Sequence, residues 1–531
     1  MLFNAPEFIF LFLPVTLFLF FVIGKINHRL AVILLIFASL FFYSWWKLEY
    51  LLIIILSILF NYCWGKILGG DVSRIEKQIY LIIGIAINLG LLGYFKYSNF
   101  FLESVNHWFN LSFPLQNLAL PLAISFFTFQ QVAYLIDIYS GETKDSSFLN
   151  YTLFICFFPQ LIAGPIVHYR DIIPQLQKKE IYSFDLDDLA IGLSIFAFGL
   201  FKKVVIADSL SVNVEILFGN AEAGINLTLF EAWGAALAYT FQLYFDFSGY
   251  SDMAIGLARM FRIKLPVNFN SPYQAFCIID FWRRWHITLS NFLRDYLYIP
   301  LGGNQQGKIR RDLNLLITML LGGLWHGAGW TFVLWGGLHG LYLIINHWWH
   351  TFLQHLGYNP NSPNRFGKVM GVAITFTLIV ASWVIFRANS VQVALSIWKG
   401  MVGLNGIMIP DKIAERLGFF QYLLTALGAN FPHCSEQYNY SFITTFFLNI
   451  LLMLVVWFLP NTQRWMVNFQ PFFKSESNPI KLESASLIGQ VTQRLAWQLN
   501  IGYGIVIGLI FFVIFKVSFA VPMTNFLYFN F

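Results

Sequence analysis

Charged side chains are scarce in this chain: Asp, Glu, Lys and Arg make up 11% of its 531 residues, where a soluble domain carries roughly a quarter. Cysteine is rarer still. Cys63, Cys156, Cys277 and Cys434 are scattered without a CxxC pair, which argues against a disulfide framework and against a zinc site. No GxSxG elbow, HExxH helix, Walker loop or GxGxxG turn occurs, which disfavours serine hydrolases, zincins, ATP-driven pumps and nucleotide oxidoreductases. No internal repeat of the kind found in many secondary transporters is visible, and the apolar runs do not alternate as barrel strands would.

What fills the chain is apolar: 57% of residues are hydrophobic and 19% aromatic, with a mean hydropathy of +0.63. Many runs approach the roughly 20 residues that carry a helix across a hydrocarbon core. The expected fold is an all-α polytopic integral membrane protein with about eleven to thirteen transmembrane or re-entrant helices. Phe8–Ile23 lacks a basic leader and a small-residue cleavage site, so it reads as a retained first helix. Further runs include Leu118–Ile138, Tyr151–Val167, Leu189–Val205, Leu229–Phe247, Leu313–Gly327 and Thr331–Trp348. The runs holding Gly164-Pro165 and His326 are candidates for broken or re-entrant segments, since irregular backbone is tolerated at depth where it lines a cavity. Neither the long loop around Asn389–Ser441 nor the partly basic stretch Lys474–Arg494 contains a recognisable soluble domain.

The formal charge of +6 suits cytoplasmic loops of a membrane protein and does not call for a nucleic-acid partner; the bilayer is the expected surrounding. Lys25 and Arg29 follow the first helix, and Lys66, Arg74 and Lys77 follow the third, so both loops fit the cytoplasmic side with the N-terminus extracytoplasmic. The densest basic block, Arg259–Arg311, is interleaved with Trp282, Trp285, Tyr296 and Tyr298 and fits the cytoplasmic interface.

His326 lies inside the apolar stretch LLGGLWHGAGWTFVLWGGLHG. An ionisable group at such depth is a functional candidate by default, and a neutral imidazole can exchange a proton near neutral pH. Gly322, Gly323, Gly327, Gly329, Gly336, Gly337 and Gly340 permit close approach, and Trp325 and Trp330 flank the gap. A lone imidazole that only bonds across a helix interface is the competing reading. His286, in DFWRRWHITLSNFLRDY, either faces the same cavity or pairs with Asp280 or Asp295. Asp246 and Asp252 either tie helices together or orient neighbouring side chains, the tie being preferred. His168 follows a Gly-Pro turn and reads as a surface or loop residue, and His347 and His350 suit an interface belt better than a metal site.

An intramembrane imidazole without a nucleophile fits general-base chemistry: it can take the proton of a hydroxyl that attacks an activated acyl group. The runs FNAPEFIFLFLPV, LGYFKYSNFF, LPLAISFFTFQQVAYLIDIYSGE, FFPQLIAGPIVHYRDIIPQL, GLFKKVVIADSL, QLYFDFSGYSDMAIGLARMF, DFWRRWHITLSNFLRDYLYIPLGGN and MLLGGLWHGAGWTFVLWGGLHG resemble the membrane-bound O-acyltransferase family, MBOAT, and within it the alginate O-acetyltransferase membrane-subunit branch. The resemblance implies one membrane domain over 1–531, with N-terminal helices in 1–117, a catalytic core in 118–350 and C-terminal helices in 351–531, around a central funnel or tunnel. It implies His326 as the catalytic histidine and His286 as the second active-site position. It further implies a multi-pass protein of the bacterial inner membrane that passes acetyl from a cytoplasmic thioester, acetyl-CoA or an acyl carrier protein, toward an exported polysaccharide. No tightly bound cofactor is expected. A separate extracytoplasmic acetyltransferase with a serine nucleophile, of SGNH or similar type, is the implied partner. D-alanyl transfer, lipid O-acylation and proton-coupled transport without acyl chemistry are the alternatives.

Overall fold

A computed structural model describes the chain except for residues 144–146, 361, 427, 433–435, 470–495, 521–523, 525 and 528–531. The whole stretch Lys474–Arg494 therefore lies outside the described residues, as does Cys434. The described architecture is helical. Its only strands among the described residues are a two-residue parallel pair, Ile407–Met408 beside Ala429–Asn430.

Four helices open the chain: α1 (Phe8–Ile26), α2 (His28–Ser44), α3 (Glu49–Leu68) and α4 (Arg74–Phe109). Their starts are written locally. Asn27 accepts the N–H groups of Arg29 and Leu30 at the head of α2, and Ser73 with Glu76 forms a capping box on α4. Within α4 the turn Gly93–Tyr97 widens to a π-helix. Next come α5 (Ile124–Tyr139) and α6 (Phe148–Cys156). The run Tyr151–Val167 is indeed broken: after α6 the chain makes one short turn, Phe158–Leu161, and then folds back at Gly164. A Cβ on Gly164 would stand 2.4 Å from Gln160 Cα, so this reversal tolerates no side chain.

The centre is built from α7 (Leu186–Glu222), which has its own π-turn at Lys202–Ala207, and α8 (Leu229–Met260). They pack antiparallel through paired glycines. A Cβ on Gly192 would lie 2.6 Å from Gly256 O, and one on Gly199 would lie 2.5 Å from Gly249 O. Such contact lets two backbones approach where side chains would hold them apart. The sequence stops this helix near Phe247, but the helix runs thirteen residues further, to Met260. Its polar stretch, DFSGYSD, meets basic partners inside the protein, so the fading hydropathy does not mark a helix end.

After α8 come the short α9 (Ile287–Leu293), the hairpin α10 (Gly307–His326) and α11 (Trp330–His355), then α12 (Arg365–Arg387), α13 (Val391–Met401), α14 (Glu436–Phe458) and α15 (Ile501–Ser518). The loop expected around Asn389–Ser441 is thus partly helical: it holds α13 and the short helices Asp411–Leu417 and Phe419–Ala426. Among the described residues, seven helices are long and apolar enough to cross a membrane: α1, α3, α4, α7, α12, the Ser441–Phe458 part of α14, and α15. Helices α8, α10 and α11 are not among them. α8 is enclosed by neighbours over most of its length, and a helix shielded from lipid has no need of a uniformly apolar surface.

Candidate functional site

His326 is the last residue of α10, and Gly327 turns the chain out of the helix. The break is tight. A Cβ on Gly327 would lie 2.2 Å from the Phe332 ring, one on Gly323 2.2 Å from Phe332 O, and one on Gly336 2.2 Å from Met319 O. The glycines therefore close the α10–α11 hairpin on itself, and the imidazole is carried at its tip, buried. Its walls are aromatic: ring centroids of Trp325, Trp335 and Phe386 lie 5.0, 5.1 and 5.4 Å from that of His326. Trp330, expected as a second wall, turns away instead and donates to Ser104 Oγ at 3.2 Å.

A helix leaves its last four carbonyls without partners along its own backbone. At the tip of α10 two of these are taken by consecutive side chains of α4. Tyr97 donates its hydroxyl to Leu324 O at 2.9 Å, and Lys96 donates its ammonium to Trp325 O at 2.5 Å. Both residues sit at the end of the π-turn in α4, a widened turn of the kind often found at functional sites.

His286 stands opposite, buried, its ring centroid 6.5 Å from that of His326. Neither Asp280 nor Asp295 holds it; Arg284 pairs with Asp280 at 2.8 Å and Arg294 with Asp295 at 2.7 Å. Its partner is Asn268, whose Oδ1 lies 3.1 Å from His286 Nδ1. The same oxygen accepts the backbone N–H of Thr288 at 3.3 Å and the Thr288 hydroxyl at 3.0 Å. Because a backbone N–H can only donate, the oxygen is the acceptor, and His286 Nδ1 must carry a proton. That leaves Nε2 as the nitrogen whose protonation can change. Thr288 Oγ1 in turn accepts the N–H of Ile166 at 3.0 Å, so the Gly-Pro reversal is tied to the same shelf. His286 itself is held at φ 41°, ψ 54°, left-handed backbone that costs a non-glycine residue roughly 1–2 kcal/mol. A residue kept in such a conformation is overdetermined by its surroundings, a feature that clusters at active sites.

The other polar candidates separate cleanly from this pair. Asp246 forms an ion pair with Lys203 at 2.7 Å and accepts the N–H of Leu527 at 2.9 Å; Lys203 also meets Asp208 at 2.7 Å. Asp252 pairs with Lys202 and accepts from Thr462 at 2.7 Å and Gln463 at 3.0 Å. These carboxylates join α7, α8 and the C-terminal segments, which is the tying role preferred from sequence. The basic block is largely matched nearby: Arg259 and Arg262 meet Asp188, and Arg311 meets Asp312. His168 is in a loop, as expected, but is no bare surface group: Tyr296 Oη lies 3.0 Å from its Nδ1 and 2.7 Å from Asp137 Oδ1. Trp348, beside His347, donates to Asp312 at 2.9 Å, and the described residues contain no group of three or more His, Cys, Asp or Glu placed to hold a metal.

Sequence reasoning missed His339. Its Nδ1 accepts from Trp282 Nε1 at 3.3 Å, and its Nε2 lies 3.0 Å from Ser382 Oγ. An indole N–H only donates, so Nε2 carries the proton and donates to Ser382, which passes its own to Ile379 O at 2.8 Å. Asn268, Lys96 and Tyr97 were missed as well. The only signal for any of them was a polar residue inside an apolar run, the signal that singled out His326.

Comparison with known proteins identifies the family. Residues 40–391 match the profile of MBOAT, the membrane-bound O-acyltransferase family. The whole chain aligns with 98% of a peptidoglycan O-acetyltransferase of Helicobacter pylori at 40% identity. It is 43% identical to a probable alginate O-acetylase of Pseudomonas putida, over 76% of this chain and 80% of that one. It is 29% identical to a teichoic acid D-alanyltransferase of Streptococcus thermophilus over 50% of this chain and 68% of that one. This chain is a multi-pass membrane O-acyltransferase and belongs to the membrane-bound O-acyltransferase family.

Proposed function

We propose that the protein passes acetyl from a cytoplasmic thioester, acetyl-CoA or an acyl carrier protein, across the inner membrane for O-acetylation of an exported polysaccharide. The observation that carries this is the pair His326 and His286, two buried imidazoles 6.5 Å apart between ring centroids, in a chain whose relatives are named for O-acetyl and D-alanyl transfer. His326 takes the proton of the acceptor hydroxyl as that oxygen attacks the thioester carbonyl. The C–S bond breaks, the new C–O bond remains, and the proton passes to the departing sulfur, giving ester and free thiol. His286, its Nδ1–H held by Asn268, helps position the thioester. It polarises the carbonyl only when Nε2 is protonated as well, since a neutral ring with hydrogen on Nδ1 presents Nε2 as an acceptor. The aromatic walls around His326 keep water from competing for the acyl group.

The basic loops carrying Lys25, Arg29, Lys66, Arg74 and Lys77 face the cytoplasm in this reading, with the N-terminus outside. The ester formed at this site is then the donor for a separate extracytoplasmic acetyltransferase: its serine takes the acetyl, releasing the first hydroxyl, and passes it to a glycan hydroxyl, which regenerates the free serine. Peptidoglycan is the second acceptor reading, favoured by end-to-end alignment with the Helicobacter pylori relative.

The test is the ester-linked acetate of secreted polysaccharide and of peptidoglycan in cells making the wild-type, His326→Ala or His286→Ala protein, with membrane abundance measured alongside. We expect His326→Ala to lower acetate about 10²- to 10⁴-fold per molecule, the usual size of a general-base contribution. Full acetylation by His326→Ala at equal abundance overturns the proposal, and the fraction that loses acetate tells which glycan is the acceptor.

A further inference from the structure

Lys96 is a buried lysine whose partners differ in kind from those of the half-buried Lys202 and the buried Lys203. Lys202 and Lys203 each meet carboxylates. Among the described residues no carboxylate stands at ion-pair distance from Lys96, which instead bonds Trp325 O and, at 3.2 Å, Ser125 Oγ. An ammonium at membrane depth without a counter-charge is expensive. Two features of the α10 tip offset that penalty: the partial negative charge of a helix C-terminus, and the Trp325 ring, whose centroid lies 5.8 Å from Nζ. Both belong to the residue that immediately precedes His326.

Local geometry explains how α4 delivers this contact. Residues 96 and 97 lie at the end of the π-turn Gly93–Tyr97, and both reach the end of α10: Lys96 takes Trp325 O and Tyr97 takes Leu324 O. From its other side the Trp325 ring is stacked on Phe129 at 5.3 Å and lies 6.1 Å from the His286 ring. One residue thus touches both imidazoles, and its backbone is fastened by Lys96.

We propose that Lys96 is the positioning residue of this site: by holding the Trp325 carbonyl it fixes the end of α10, and with it the place of the His326 imidazole. Tyr97 assists through Leu324. A lysine amine donates to that carbonyl in either charge state, and a positive charge there adds attraction to the negative end of the helix. This assignment rests on His326 being the base.

The experiment measures acetate per molecule of full-length membrane protein for wild type, Lys96→Met, Lys96→Arg, His326→Ala and the Lys96→Met/His326→Ala double variant. Methionine fills the volume of the side chain and removes its donors. We expect Lys96→Met to lose about a hundredfold per molecule, the scale set by misplacing a reacting group by about 1 Å. Lys96→Arg, which keeps a cationic donor, should recover part of that. In the double variant the two losses should fail to multiply, because Lys96 acts through the imidazole already removed. If acetate and abundance instead fall in parallel, so that acetate per molecule is unchanged, Lys96 serves folding alone and the assignment is wrong. Losses that multiply in the double variant overturn it too. Full acetate in His326→Ala removes the base itself, which is a failure of the proposed function and is seen without reference to Lys96.

Discussion

Two polar regions are buried in this apolar protein, and they are built on opposite plans. Between α7 and α8, Lys202 and Lys203 meet Asp208, Asp246 and Asp252 directly, with Thr462, Gln463 and Leu527 supplying further hydrogen bonds. At the tip of α10 the imidazoles of His326 and His286 face each other among aromatic rings, and the polar contacts go chiefly to what surrounds them: to the carbonyls before His326 and to Nδ1 of His286. In the first region charge answers charge and holds segments together. In the second, the polar contacts hold the backbone before His326 and Nδ1 of His286, and among the described residues no carboxylate pairs with either ring. Burial alone does not tell a tie from a site; what the partners hold does.

The sharpest way to break this contrast is to remove one member of the ion-pair region. Lys203→Met leaves Asp208 and Asp246 buried without their cation, and loss of one partner of a buried pair costs about 3–5 kcal/mol. Thermal unfolding of the detergent-extracted protein and its membrane abundance should both fall steeply, while acetate per surviving molecule stays near wild type. A variant with normal stability and lost transfer would move Lys203 from the ties to the site.

A smaller effect is expected from Asn268→Ala. It strips the acceptor from His286 Nδ1 and from both Thr288 donors, each in a buried setting, at about 1–3 kcal/mol. Transfer per molecule should drop more than abundance, since the freed ring can adopt the wrong tautomer. Equal loss of both would place Asn268 among the ties.

The smallest is Ser382→Ala, which removes the acceptor of His339 Nε2–H and should cost about 1 kcal/mol. His339 stands one helical turn from Trp335 and packs against it at 4.7 Å, yet both its nitrogens are engaged. Transfer per molecule should be unchanged and only the unfolding midpoint should shift. A clear fall in transfer would show that the wall formed by Trp335 transmits to His326.

The membrane class, the two apolar runs that become α10 and α11, and His326 as an ionisable residue at depth are legible in the sequence, because those signals are local: long apolar runs and one ionisable residue where none is expected. Pairing of His286 with His326 rests on a short contact between residues forty positions apart, and spacing could only suggest it. The continuation of α8 past Phe247 was hidden because its polar residues are neutralised by Lys202 and Lys203 on another helix. Lys96 and Asn268 were hidden for the same reason: a donor for a distant carbonyl, or an acceptor for a distant ring, leaves no periodic trace.

The π-turn in α4 also bears on how the family can change. Such a turn accommodates one residue beyond the regular count, so deleting a single residue within 93–97 would restore an ordinary helix. That deletion would leave composition, hydropathy and the apparent span almost untouched. The helix on either side would stay in phase, because the widened turn is what absorbs the surplus residue, but the side chains of 93–97 would return to regular spacing and those facing the tip of α10 would change. Related chains can therefore be sorted by the length of this one segment. Those lacking the surplus residue should have lost the contact with Trp325 even where a lysine is still written nearby.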